Sequence, residues 1–214
     1  MDVPFSVEQF MEVFRNYNEF VFPVQIFFYV LGFIAIYFVF HPTPWSGLFI
    51  SSFLAFLWLW MGVVYHLLFF TAINKAAYLF AVIFLIQGVL FLITGSFQKK
   101  FSFRFRSDTY SITGLMLVIF ALVIYPVIGY FLGHRFPYSP TFGLPCPTTI
   151  FTFGLLLLNT QRSTIGIFII PFTWSVLGLS AALQLGIMED LSLLAAGIIT
   201  FLILLVKNKK HVHS

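Results

Sequence analysis

The chain has 214 residues, of which 60% are hydrophobic and only 8% charged, with a formal net charge of +4. A soluble domain carries about 25% charged residues, so this composition excludes a chain whose whole surface meets water. It reads as an integral membrane protein, because long apolar runs recur along it and thirty-one residues are phenylalanine. The single cysteine excludes an intrachain disulfide framework and any CxxC redox or zinc site. The opening MDVPFSVEQF has no basic stretch followed by an apolar one, so no cleavable signal peptide is expected. Cations sit in short loops and near the C-terminus, where topology accounts for them, and no nucleic-acid partner is read from them.

In chain order, residues 6 to 20 form an amphipathic helix. Ser6 and Gln9 fit a capping box, in which each side chain satisfies a free backbone N–H. Val7, Phe10, Phe14 and Tyr17 make an apolar stripe, and Glu8, Glu12, Arg15 and Glu19 a polar one, at helical spacing. Such a helix lies at a membrane interface. Its polar face is mostly acidic, so it reads as a scaffold over the bundle rather than an anchor to anionic lipid. The first span covers Phe22 to Phe40, with Pro23 near its start. The second, Gly47 to Phe70, carries Trp58, Trp60, Tyr65 and His66. The third, Ala76 to Gly95, is opened by Asn74 and Lys75 and holds Gln87, which is expected to bond to a neighbouring helix. The stretch Gln98–Arg106 interleaves cations with phenylalanines and reads as a cytoplasmic loop whose rings dip into the interface. The fourth span is Thr109 to Leu132, with Pro126 inside it. After Ser139–Gln161 come Thr164 to Leu185, containing Pro171 and the small residues Gly178, Ala181 and Ala182, and then Leu191 to Val206. Lys207–Lys210 stops transfer, leaving 21–207 as one bundle and 208–214 as a cytoplasmic tail.

Orientation turns on whether the apolar run after Pro147 crosses. If it does, seven spans with the N-terminus outside put eight basic residues inside and three outside, with six of the seven acids outside. The inner set includes Lys99, Lys100, Arg104, Arg106, Arg162, Lys207, Lys209 and Lys210. If it does not, the same N-terminus leaves four basic residues inside, against the positive-inside rule. A flipped six-helix arrangement recovers seven against four but translocates the dense Lys99–Arg106 cluster. Seven spans are therefore preferred, with the flipped six-helix form as the alternative. The residue before a proline is pushed out of the helical region, so Leu144 and Cys146 are expected to be non-helical and the helix to begin at Pro147. From Pro147 to Arg162 the rise is about 24 Å, against about 30 Å of hydrocarbon, so extended chain must complete the crossing. The fold class is thus an all-α polytopic transmembrane bundle with a short, broken fifth helix and an N-terminal interfacial helix.

This topology sets His66, Asn74, Lys75, His134, Arg135, Cys146, Glu189 and Asp190 at one level toward the outer side. Cys146 at a helix N-terminus suits soft-metal binding or nucleophilic attack, since the helix end favours a thiolate; the plainer reading is a buried, inert thiol beside two prolines. His66 within an apolar run is either a functional ionisable group or a ring satisfied by a nearby backbone group or tyrosine hydroxyl. Asp190 reads as a cap for the helix that begins at Leu191, and Thr148 and Thr149 stand on the first turn after the prolines. Gly178, Ala181 and Ala182 suggest a close helix approach. The last helix has no lysine before Lys207, so a retinal Schiff base there is unsupported, and no paired histidines at depth suggest haem. No HExxH, GxSxG or P-loop occurs, and no cofactor is expected.

The run TFGLPCPTTIFTFGLLLL, with YHLLFFTAIN, GHRFP and IPFTWSVLGLSAALQLGIMEDLSLL, resembles a bacterial integral membrane family known as a domain of unknown function. The resemblance extends over nearly the whole chain, with GLPCPTT its most specific part. It implies a multi-pass protein of a bacterial inner membrane and carries over no reaction, substrate or catalytic residue. Three functions are expected in order. The first is a small-solute or ion transporter or channel-like protein, with His66, Cys146, Thr148, Thr149 and Asp190 as candidate ligand-binding residues. The second is a non-transporting membrane module that binds a ligand or partner. The third is an intramembrane enzyme with Cys146 as nucleophile and His66 as base. The lipid bilayer is a partner in all three, while metal binding and oligomeric state are left open.

Overall fold

The structure, a computed structural model, describes residues 4–161 and 165–210. Asp2, Thr164 and Arg162, and the side chains of Ala181, Lys209 and Lys210, lie outside what it describes. The first helix, α1 (Val7–Val21), starts at the expected capping box: Ser6 Oγ accepts the Gln9 N–H at 3.3 Å and Gln9 Oε1 accepts the Ser6 N–H at 2.9 Å. Phe10, Phe14 and Tyr17 are buried, while Glu8 and Glu19 face out and Arg15 pairs with Glu12 one turn away. At Pro23 the chain turns, and α2 (Val24–Phe40) leaves at 83° to α1.

The remaining helices follow the apolar runs. α3 (Ser46–Trp60) continues through a π turn (Met61–Phe69) and a short 3-10 turn (Phe70–Ala72). α4 (Ala77–Phe91) ends in a second π turn (Leu92–Phe97). α5 (Thr109–Ile119) passes through a third (Phe120–Ile124) into α6 (Tyr125–Phe131), so the missing N–H of Pro126 falls at a place where the ladder is already shifted. α7 spans Pro145–Leu158, α8 Ile165–Leu185 and α9 Leu191–Lys210. Among the described residues the fold is all-helical, with isolated bridges at Phe103–Asn159 and Phe142–Leu144. Among the described residues, five helices are long and apolar enough to cross a membrane: Ser46–Ala72, Ala77–Phe97, Thr109–Phe131, Gly166–Leu185 and Met188–Lys207. Taken as one span, the bent pair α1 and α2 would bring the number to six, and Pro145–Leu158 is a shorter apolar helix. Their outer faces carry exposed Phe27, Phe33, Leu79, Met116, Phe131 and Leu202, a surface suited to lipid.

α7 sits at the centre. Every residue from Pro147 to Asn159 is buried, which is what a helix apolar on all sides requires. It packs on α5, α8 and α9, and α3 reaches it through Phe53–Phe151 ring contact and the Trp58 indole N–H on Thr152 Oγ1, 3.1 Å away. The α5 crossing is the tightest: a Cβ on Gly154 would stand 2.6 Å from the Gly114 carbonyl oxygen, and one on Gly114 2.7 Å from that of Gly154. α8 and α9 also approach closely, since a Cβ on Gly178 would lie 3.0 Å from a Leu193 methyl. Gln87 bonds a neighbouring helix as expected, donating to the Ile167 carbonyl at 3.0 Å.

Two readings of the sequence are corrected at the lower end of α7. The Gln98–Arg106 stretch does not dip its rings into an interface. Phe101 and Phe103 are in the core, Phe105 is half-buried, and Ser102, Arg104 and Arg106 point out. This is the alternation of extended chain. Backbone bonds lay it across the helix ends: Arg104 N–H to Leu158 O, Thr160 N–H to Ser102 O, and Phe105 N–H to Val39 O. Lys207 is no part of a free tail. It is buried, and its Nζ donates to the Leu157 and Asn159 carbonyls at 3.0 and 2.5 Å. A cation there satisfies the orphan carbonyls at the C-terminus of α7 and complements its dipole. α9 runs on through Lys210.

Candidate functional site

The upper end of α7 is built from non-helical chain packed inside protein, the condition under which such backbone is tolerated at membrane depth. Gly143 has φ +103°, a value that favours glycine, and a Cβ there would lie 2.5 Å from the Phe28 ring. Its N–H is taken by Thr148 Oγ1 at 3.0 Å and its carbonyl by the Tyr17 hydroxyl at 3.1 Å. The Trp60 indole N–H in turn donates to Tyr17 Oη at 3.0 Å. Asn18 Nδ2 holds the carbonyls of Pro137 and Ser139, and Gln25 Nε2 the Thr141 hydroxyl.

Leu144 is extended, as expected, but α7 begins at Pro145 rather than Pro147, and Cys146 lies in its first turn. The proline rule is overridden for a specific reason. The first N–H groups of a helix have no partner within it, so Pro145 and Pro147 remove donors that had none to lose. The first bond of the helix is Thr148 N–H to Leu144 O.

Cys146 meets Asp190, its Sγ donating to Oδ2 at 3.3 Å. The other oxygen, Oδ1, accepts the Tyr125 hydroxyl in a short bond. Asp190 was expected to cap α9; both its oxygens instead take side-chain donors from other helices. The reason is the short 3-10 turn Met188–Asp190, which places its side chain beside the α7 terminus before α9 starts. An anion there is favoured by the α7 dipole, as the Lys207 cation is at the far end. Next to it, Glu189 is fully buried and its Oε1 meets His134 Nδ1 at 2.6 Å. Gly129 makes the room, since a Cβ there would stand 3.2 Å from that oxygen. Adjacent carboxylates repel, and His134 answers one of them. Among the described residues Asp190 itself forms no ion pair.

A cavity of about 140 Å³ opens beside this cluster. Cys146 and Asp190 form its polar pole, with Pro145 and Pro147 on either side of the thiol. Aromatic rings from α1 (Phe10, Phe14), the α3 π turn (Tyr65), Phe80 and Trp174 make much of the wall, with Asn74 and Leu144 among them. Leu177 and Ser180, both exposed, stand at its rim. Of the five candidate residues, two line the cavity. His66 does not: it is buried against Phe80, Phe84 and Trp174, and neither ring nitrogen has a hydrogen-bond partner. The expected tyrosine or backbone bond to it is therefore not formed, and the Cys146 thiol is turned to Asp190 instead. Thr148 serves the Gly143 turn, and the buried Thr149 hydroxyl has no partner. Among the described residues, no three of His, Cys, Asp and Glu group into a metal site.

A family model matches residues 7–214 and so takes in α1, the cavity and both ends of α7. The chain belongs to DUF6064, a family of unknown function. Neither a curated protein nor a solved structure matches it. In this DUF6064 chain the residues that sequence reasoning missed are Tyr125 and Lys207. Tyr125 and Gly129 are four apart, on one helix face, with a small residue where an acid must fit, and that spacing is the signal that was available.

Proposed function

We propose that this protein is a multi-pass membrane protein of the bacterial inner membrane that moves a small solute or ion, with its binding site at Cys146 and Asp190. The observation that carries the reading is the cavity at the broken start of a central helix. Discontinuous helices with their N-termini turned to a cavity are a recurring way to build solute sites in membranes. Seven crossings, with the N-terminus outside, belong to the same proposal. The hydrogen bonds at Gly143 and at Leu158 lie about 20 Å apart along α7, and the chain before and after it is distributed between those two ends. Flux in proteoliposomes across a panel of small solutes and ions, with wild type and Cys146→Ala compared, tests the transport claim. A solute whose uptake needs the protein and slows in Cys146→Ala is the expected result; no protein-dependent flux across the panel removes it.

A second reading, a non-transporting ligand-binding module, draws on the close packing of α7 on every face below the cavity. It expects the same ligand bound and no flux. An enzyme using Cys146 with His66 as its base has no support in the geometry, because the thiol's bond goes to Asp190.

A further inference from the structure

The cavity has a chemical polarity that narrows its occupant. One pole is a carboxylate, buried to 4% exposure, with neutral donors on both oxygens and no cation paired to it among the described residues. A second buried carboxylate, Glu189, is its chain neighbour, and its Oε1 is taken by His134. Six aromatic side chains, Phe10, Phe14, Tyr65, Phe70, Phe80 and Trp174, share the lining with Asp190. Ring faces carry negative charge density and attract cations, most strongly when desolvated. A buried acid that lacks a countercharge repels anions and favours a cation in the same way. The volume, about 140 Å³, is that of roughly five waters, so a small organic solute fits and a drug-sized one does not. The rim residue Leu177 lies on the apolar exterior, 43% exposed, so an occupant with an apolar part can approach from the lipid side.

We infer that the cavity binds a small organic cation, an alkylated amine or quaternary ammonium, with its charged nitrogen against Asp190 and its alkyl groups against the aromatic wall. The inference rests on the binding site proposed above and adds the ligand class. A neutral solute of the same shape lacks the attraction to Asp190. An anion meets the Asp190 carboxylate. A bare metal ion finds one carboxylate and a thiol, too few ligands for a closed site.

The test uses choline and its neutral tert-butyl isostere, in which carbon replaces the quaternary nitrogen. Full-length protein in lipid nanodiscs is titrated with each while maleimide labelling of Cys146, its only cysteine, is followed. Choline is expected to slow labelling in a saturable way, with the isostere about thirtyfold weaker or more. Asp190→Asn, which keeps the shape and the Tyr125 acceptor, is expected to abolish the preference. Trp174→Leu, which leaves the carboxylate in place, is expected to weaken choline several-fold. Equal protection by the two ligands in wild type, or no protection by choline, overturns the inference without depending on any variant. Choline protection with no flux leaves the ligand class standing and ends the transport claim. Flux of another solute without choline protection does the reverse.

Discussion

At the residue scale, Tyr125 is the group whose removal isolates the most. Its hydroxyl is buried and donates to Asp190, so Tyr125→Phe takes one of the two donors from a desolvated carboxylate while leaving the ring in place. A hydrogen bond to a charged group contributes about 1.5–3 kcal/mol, so thermal unfolding in detergent should show a destabilisation of that order. An unchanged melting temperature would mean that Asp190 draws its stabilisation elsewhere. The sequence named Cys146, His66 and Asp190 because ionisable or reactive groups stand out in apolar runs. It could set them at one level but not show which would meet, because that depends on how each helix is turned about its axis. Tyr125 passed unnoticed for the converse reason: an aromatic residue in an apolar run reads as packing. Lys207 was misread because a cation after a span ordinarily stays in water, and here two orphan carbonyls at the end of α7 draw it inward.

At the scale of the element, α7 depends on two glycines. The Gly114 and Gly154 backbones touch, and Gly154 also faces Val118, whose Cγ2 would stand 2.7 Å from a new Cβ. Gly154→Val should therefore force α5 away from α7. Overpacking of this kind costs typically about 1–3 kcal/mol, read as a lower melting temperature and lower yield of folded protein. A melting temperature equal to wild type would place the crossing elsewhere. The apolar helices themselves were legible, most within two residues of their ends, because span length and hydropathy are local properties. The alternation Phe101, Phe103, Phe105 was equally visible, yet it was assigned to an interface because the cations between the rings dominated the reading. What decides its place is a set of backbone bonds to Val39, Leu158 and Thr160, partners remote in sequence. The start of α7 was placed two residues late because the effect of a proline on its predecessor was given more weight than the vacancy of donors in a helix's first turn.

At the scale of the whole molecule, two charged residues hold α7 at both ends: Asp190, in the turn that leads into α9, at its N-terminus through Cys146, and Lys207 of α9 at its C-terminus. The span between them is about 25 Å of helix, close to the length that α7 must fill. This clasp sets the C-terminal ends of α7 and α9 at the same end of the bundle, as the proposed orientation requires. Reporter fusions test it. A reporter after the last residue should be cytoplasmic; an extracellular one would reverse the orientation proposed above. A second fusion, ending the chain after residue 161, asks about manufacture rather than architecture. Once folded, α7 is covered by protein from Pro147 onward, so its residues need not be at home in lipid by themselves. A translocon that scores segments one at a time looks for about 20 apolar residues, and this one is short and begins with two prolines. Shorn of α8 and α9, that truncated chain should therefore show a mixture of orientations at its end, where the full-length protein shows one. Biogenesis of this bundle would then be a post-insertion event at its core: the outer helices enter first, and the last helix to leave the ribosome recruits the central one into place.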